Sequence, residues 1–153
     1  MPMIGFDRET LISDLVVDEG LRPFIYDDAA PAAKIGPGYR FVGNPTIGIG
    51  HALALTPFTT DQCRTICGWD VDAKAKELYA ALSWLSGLSE PRQRAVANMA
   101  FNMGVAGVRG FTTFLALLEK ADYGGAAYDL RTTLWARQVG ARATRIEALI
   151  RGG

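Results

Sequence analysis

The chain has 153 residues, 49% of them hydrophobic, with 16 basic side chains against 16 acidic ones. That composition supports one compact domain with a real core, and its zero formal charge gives no reason to expect a nucleic-acid partner. Two cysteines and a single histidine leave a metal centre or a catalytic thiol without partners, so no metal and no cofactor are expected.

The amino terminus, Met1-Pro-Met-Ile-Gly-Phe-Asp-Arg-Glu, lacks the basic start and apolar run of a secretion signal. No apolar stretch approaches the roughly 20 residues of a membrane span. The expectation is a chain made and folded in the cytoplasm that depends on another agent for release. Asp7 is a candidate helix cap, Glu9 lies in the first turn, and Phe6 can staple onto Leu11. Leu11, Ile12, Leu15 and Val16 form an apolar stripe that ends at Glu19, and Gly20 supplies the stop. A carboxyl facing apolar surface at the negative pole of its helix is disfavoured from ionising, as a general acid requires.

From about Phe24 to Ala52 the pattern turns to short strands. In Thr46-Ile47-Gly48-Ile49-Gly50, alternation sends Ile47 and Ile49 to one face and Thr46, Gly48 and Gly50 to the other. A face with one hydroxyl and two bare backbones lets a bulky sugar approach closely. Glu19 at a helix end, Asp28 nine residues later and Thr46 on a glycine-laced strand are the parts needed to break an acetal with water, which points to a glycoside hydrolase.

Thr59-Thr60-Asp61-Gln62 reads as a capping box opening a helix that ends near Gly68. Cys63 and Cys67 share one face of it and are expected as small buried thiols. Val71, Ala75, Leu78, Leu82 and Leu85 recur at helical spacing and predict a long amphipathic connector. Ser89 or Glu90 opens the next helix, whose stripe of Val96, Met99, Ala100 and Met103 stops at Gly104. Three more helices are predicted at roughly 112–121, 125–135 and 141–150, with Leu115, Leu118, Leu130, Trp135, Ile146 and Leu149 as core. The fold class is mainly α with a small β-hairpin lobe, two lobes joined by a long helix. The division expected is a β-containing lobe at about 20–68 and a helical lobe at about 69–153 that also takes in the first helix.

Charge is unevenly spread. Residues 1–28 carry seven acids against Arg8 and Arg22, and residues 131–153 carry five arginines against Glu147. A basic carboxyl end suits an anionic polymer.

The run from Asp18-Glu19-Gly20 through Tyr26-Asp27-Asp28 to Thr46-Ile47-Gly48-Ile49-Gly50-His51 resembles the phage lysozyme family. Asp70-Val71-Asp72-Ala73, Asn98-Met99-Ala100-Phe101-Asn102-Met103-Gly104, Gly107-Val108-Arg109-Gly110-Phe111-Thr112 and Trp135-Ala136-Arg137-Gln138 follow in the family's order. The resemblance implies an endolysin that hydrolyses the β-1,4 bond between N-acetylmuramic acid and N-acetylglucosamine in peptidoglycan. It further implies Glu19 as general acid, Asp28 as second carboxylate with Asp27 as the competing acid, and Thr46 beside the attacking water. Inversion is implied too, with carboxyls roughly 6.5–9.5 Å apart. Arg142 falls on an arginine that positions the acid, and His51 on a structural histidine. Phe101, Asn102, Phe114 and Asp129 fall on sugar-contact positions, although Phe114 and Asp129 depart from the family's best-known residues there. Peptidoglycan strands are the expected partner, and the chain is expected to be a monomer acting after a holin opens the membrane. It would wait in the host cytoplasm and then work on the wall from the periplasm.

The 17 residues between Asp28 and Thr46 form an insertion relative to short-loop members. Tyr39, Arg40 and Phe41 could extend the sugar-binding rim or form a neutral elaboration. A lytic transglycosylase and a non-catalytic peptidoglycan-binding or tail-structural module remain the alternatives.

Overall fold

A computed structural model describes residues 7–153, and the staple assigned to Phe6 lies outside them. The contacts divide the chain into two compact units, Met1–Cys63 and Arg64–Gly153. The first helix falls in the first of these units, and only two residues separate its end from the first strand.

In the first unit, helix α1 spans Arg8–Glu19, and the Asp7 side chain caps it by accepting from the Thr10 N–H at 2.7 Å. Gly20 ends it at φ 74°, ψ 163°, a backbone region that is essentially glycine's alone. The expected apolar stripe exists as a pattern, but no residue of α1 is buried. Strands β1 (Arg22–Asp27), β2 (Pro45–Gly48) and β3 (His51–Ala52) make an antiparallel sheet in the order β1-β2-β3. Thr46 pairs with Tyr26 on one side and Ala52 on the other. Pro23 falls where the β1–β2 register shifts, on an edge strand, the setting in which a missing N–H does least harm. β2 is shorter than predicted. Gly48 and Gly50, both at φ 70°, turn the chain tightly into β3, so the regular alternation stops before Ile49.

Helix α2 (Thr60–Ala81) opens on the predicted box: Thr59 Oγ1 accepts from the Gln62 N–H, and Gln62 Oε1 accepts from the Thr59 N–H. The helix does not end at Gly68. Its stretch from Thr60 to Val71 is exposed throughout, and with it Cys63 and Cys67, which are free surface thiols and not buried ones. One unbroken helix thus replaces the two predicted, because an exposed glycine costs a helix only about 1 kcal/mol.

The second unit continues with a 3-10 turn at Ser83–Gly87 and helices α3 (Glu90–Arg109), α4 (Thr112–Glu119), α5 (Tyr123–Thr132), α6 (Leu134–Val139) and α7 (Ala141–Gly152). α3 breaks at Gly104 as predicted, but helical backbone resumes beyond it. The single helix expected over 125–135 is two. Thr133 is extended there, and its hydroxyl accepts from the Ala136 N–H while donating to the Leu130 carbonyl. A threonine that satisfies both helix ends favours the break. Leu78, Leu85, Val96, Met99, Phe114, Leu118, Leu130, Ile146 and Ile150 make the core of this unit. Arg92 ties its rim, donating to the Ile150 carbonyl and lying 3.5 Å over the Tyr123 ring.

Among the described residues no single helix is long and apolar enough to cross a membrane.

Phe114 is wholly buried in this core. Phe114→Ala should therefore cost about 3–5 kcal/mol of stability, seen as a lowered denaturation midpoint. If the midpoint stayed put while substrate binding weakened, the core assignment would be wrong.

Candidate active site

Each half of the expected site lies within one unit. In the first, the acidic pair that closes β1 separates into two environments. Asp27 is fully buried, and its carboxylate accepts four hydrogen bonds: from the Val42 N–H at 2.6 Å, the Gly43 N–H at 2.8 Å, the Tyr39 hydroxyl at 3.0 Å and the Ala29 N–H at 3.1 Å. A carboxylate has about four lone-pair sites, so Asp27 is saturated. Burial pushes its pKa up, but these donors outweigh it and hold the carboxyl below the usual range. Burial and the bond to Asp27 together push the Tyr39 phenol up.

Asp28 is exposed. Its Oδ1 accepts from the Asn44 N–H at 2.6 Å and its Oδ2 from Asn44 Nδ2 at 3.0 Å. Those side-chain and backbone donors hold its carboxyl below the usual carboxylate range, against partial burial and the like charge of Asp27. Asn44 also accepts through its carbonyl from the Asp28 N–H at 3.2 Å and the Thr46 hydroxyl at 3.1 Å. Thr46 is buried in the middle of the sheet. Asp28, Asn44 and Thr46 are thus one hydrogen-bonded group.

Glu19 ends α1 as an exposed side chain, outside the apolar surround its stripe predicted. Its carboxyl lies beside the β2–β3 turn: a Cβ on Gly50 would stand 3.6 Å from Glu19 Oε2. His51 stacks on Phe58 with ring centroids 4.8 Å apart, and its buried Nε2 has no hydrogen-bond partner among the described residues. The stack on Phe58 holds the plane of its ring.

The insertion folds inward onto this unit. Tyr39 spends its hydroxyl on Asp27, and its ring meets Phe41 edge to face at 5.1 Å. The two rings pack on each other and stay half-buried. Arg22 adds a tie, donating to the Pro31 carbonyl at 3.3 Å and lying 4.4 Å over the Tyr26 ring.

In the second unit, Phe101 and Arg142 line a cleft of about 270 Å³ with Val71, Ala75, Ala97 and Asn98. Asn102 is exposed, its Oδ1 accepting from Trp135 Nε1 at 2.8 Å. Asp129 borders a separate groove with Phe111, Thr112 and Trp135. Phe114, predicted as a sugar contact, offers no surface at all, because it is core. That position is corrected.

Sequence reasoning missed Asn44. Its signal is the Gly43-Asn44-Pro45-Thr46 run: an asparagine before proline is held extended, which frees its amide to reach another chain segment. It also missed Asp27 as the anchor of the insertion.

Comparison with known proteins identifies this architecture. The Phage lysozyme family model matches residues 17–151. The chain belongs to the phage lysozyme family. It is 28% identical over 165 residues to the pre-baseplate central spike protein Gp5 of Enterobacteria phage T4, an alignment covering 89% of this chain and 26% of that protein. It is 26% identical to two proteins of Dictyostelium discoideum, probable T4-type lysozymes 1 and 2, covering 91% of this chain and 92% of each. The chain thus spans about a quarter of the spike protein and nearly all of each lysozyme.

Two tests follow from the Asp27 anchor. Asp27→Asn would turn an amide N–H₂ toward N–H donors and loosen the insertion, lowering the melting temperature at pH 7. Because the folded carboxyl has a depressed pKa, its stabilisation is present above the ordinary value of about 4 and is lost as pH falls through the folded one. The gap between Asp27→Asn and the parent should therefore narrow on acidification below about pH 4, and a gap independent of pH would contradict the anchor. Gly43 faces Asp28 Oδ1 and the Ala29 backbone so closely that no Cβ fits. Gly43→Ala should cost about 1–3 kcal/mol in the same melts, and an unchanged melting temperature would rule out that packing.

Proposed function

We propose that this chain is a muramidase that hydrolyses the β-1,4 bond between N-acetylmuramic acid and N-acetylglucosamine in peptidoglycan. The observation that carries the reading is the exposed Asp28 carboxylate, held ionised by two donors of Asn44 and sharing that residue with Thr46. A carboxylate kept anionic and open to solvent has the makings of a general base. Glu19, the other exposed carboxyl of the expected pair, is the general acid in this reading.

In the reaction so assigned, Glu19 gives its proton to the glycosidic oxygen as the bond from that oxygen to the anomeric carbon breaks. Positive charge develops on the ring, and a water attacks the anomeric carbon from the opposite face. Asp28 takes the proton that the water loses. Glu19 has then lost one proton and Asp28 gained one, and exchange with solvent resets both. The product is a free reducing end with inverted configuration.

Membership in the phage lysozyme family and the names of the two Dictyostelium relatives support a peptidoglycan substrate. Sugar-binding roles for Phe101, Asn102 and Asp129, and an acid-orienting role for Arg142, belong to the same proposal. So does service as an endolysin that reaches the wall once a holin opens the inner membrane. The match to Gp5 favours one second reading, a lysozyme-like module of a tail assembly.

Glu19→Gln and Asp28→Asn should each lower the rate of wall degradation at least about a hundredfold, with the melting curve of Glu19→Gln left intact. Full activity in either variant would remove that residue from the mechanism. The glycan fragments should carry reducing ends, and anhydro ends would identify a transglycosylase instead. The parent protein should clear a suspension of permeabilised Gram-negative cells. Failure to do so would leave the structural-module reading standing.

A further inference from the structure

We propose that Asn44 is a positioning residue that presents both Asp28 and Thr46 to the attacking water as hydrogen-bond acceptors. The inference rests on the muramidase reading above and assigns a residue that reading does not require.

The atoms support it in three steps. First, Asn44 grips the Asp28 carboxylate at both oxygens, Oδ1 through its backbone N–H at 2.6 Å and Oδ2 through Nδ2 at 3.0 Å. A two-point grip fixes the plane of the carboxylate. Each oxygen has about two lone-pair sites, so one on each is left to accept from water. Second, Thr46 owns a single hydroxyl proton and directs it to the Asn44 carbonyl. Its oxygen can then only accept from anything else. The Asp28 N–H takes the other lone pair of that carbonyl, so Asn44 O is filled and the Thr46 proton has a fixed place. Third, Asn44 is itself held in place. Val42 and Gly43, the two residues before it, bond to the buried Asp27 carboxylate, and Pro45 after it keeps its backbone extended.

A water bound against this group meets acceptors on both sides. It must donate one proton to Asp28 and the other to Thr46, and its lone pair then faces outward, toward the anomeric carbon. Were the threonine proton free, the water could accept it instead and tie up the electron pair that has to form the new bond. As the oxygen–carbon bond forms, the O–H bond toward Asp28 breaks and its proton passes to the carboxylate; Thr46 keeps its own. The orientation of the nucleophile is thereby set before substrate arrives, which is where an enzyme gains from fixed dipoles.

The two Asn44 donors, helped by the Ala29 N–H, lower the Asp28 pKa against burial and the like charge of Asp27 next to it. The test compares Asn44→Ala and Asn44→Asp with the parent, on the full chain, using glycan strands and a kinetic pH profile. Asn44→Ala keeps the backbone donor and acceptor and removes only Nδ2. It should lower kcat about tenfold, the weight of one hydrogen bond to a charged group, with little change in KM. The acid limb of kcat/KM should move to higher pH, because a base that has lost a donor is protonated sooner on acidification. Asn44→Asp is isosteric and sets an acceptor against Asp28, so it should move the limb further and decide the matter if the alanine variant does not fold. An unmoved acid limb, with or without a lower melting temperature, would overturn the proposal and leave Asn44 a structural residue. Asp28→Asn, run in parallel, separates the two claims: if it is inactive while the Asn44 variants keep the parent profile, only the positioning role fails. If it is active, the base assignment fails first.

Discussion

The saturated carboxylate of Asp27 is the interaction on which the candidate site depends. An insertion of 17 residues follows Asp28, just past the end of β1, and must return in register to β2. A loop of that length has many conformations to lose on closing. Four donors converge on one buried carboxylate, three of them from the insertion's far end at Tyr39, Val42 and Gly43. Those contacts fix the segment that delivers Asn44, and Asn44 in turn holds the Asp28 carboxylate. Ordering thus passes from a buried charge outward to an exposed one through two short links of the backbone.

Asp27 and Asp28 are adjacent and chemically identical, and their surroundings alone separate them. The first has every acceptor site filled and no exposure, which makes it an anchor. The second has half of its capacity filled by one residue and the rest open. Gly43 is the hinge of this division, since only a bare Cα lets the loop pass both carboxylates at once. Gly50 is needed for a different reason, its φ of 70°, which turns the chain beside Glu19.

Much of this was legible in the sequence wherever the signal was local. The Asp7 cap, the Thr59–Gln62 box, the stop at Gly20 and the bend at Gly104 each arise from residues within a turn of one another. Local signals also misled. Gly68 looked like a helix end, yet nothing nearby rewarded stopping there. Thr133 looked like helix interior, yet its hydroxyl caps the next helix. What pattern could not supply was pairing at a distance. Asp27 meets Gly43 and Asp28 meets Asn44 across 16 positions of irregular chain, where no periodicity operates. The aromatics of the insertion were ambiguous for the same reason. Rings free to face a ligand and rings packed on each other have one composition, and only the tie from Tyr39 to Asp27 distinguishes them. Phe114 was assigned to the surface by resemblance, and the packing of α4 into the core overrode it.

The central claim is that Asp28 and Thr46 deliver a water to the face of the sugar opposite the acid. Proton NMR of the anomeric signals during the first minutes of cleavage of a purified glycan strand tests it most directly. The account predicts that the new reducing end appears first as the α-anomer and only later equilibrates. Initial appearance of the β-anomer would mean retention through a covalent intermediate, and would contradict it.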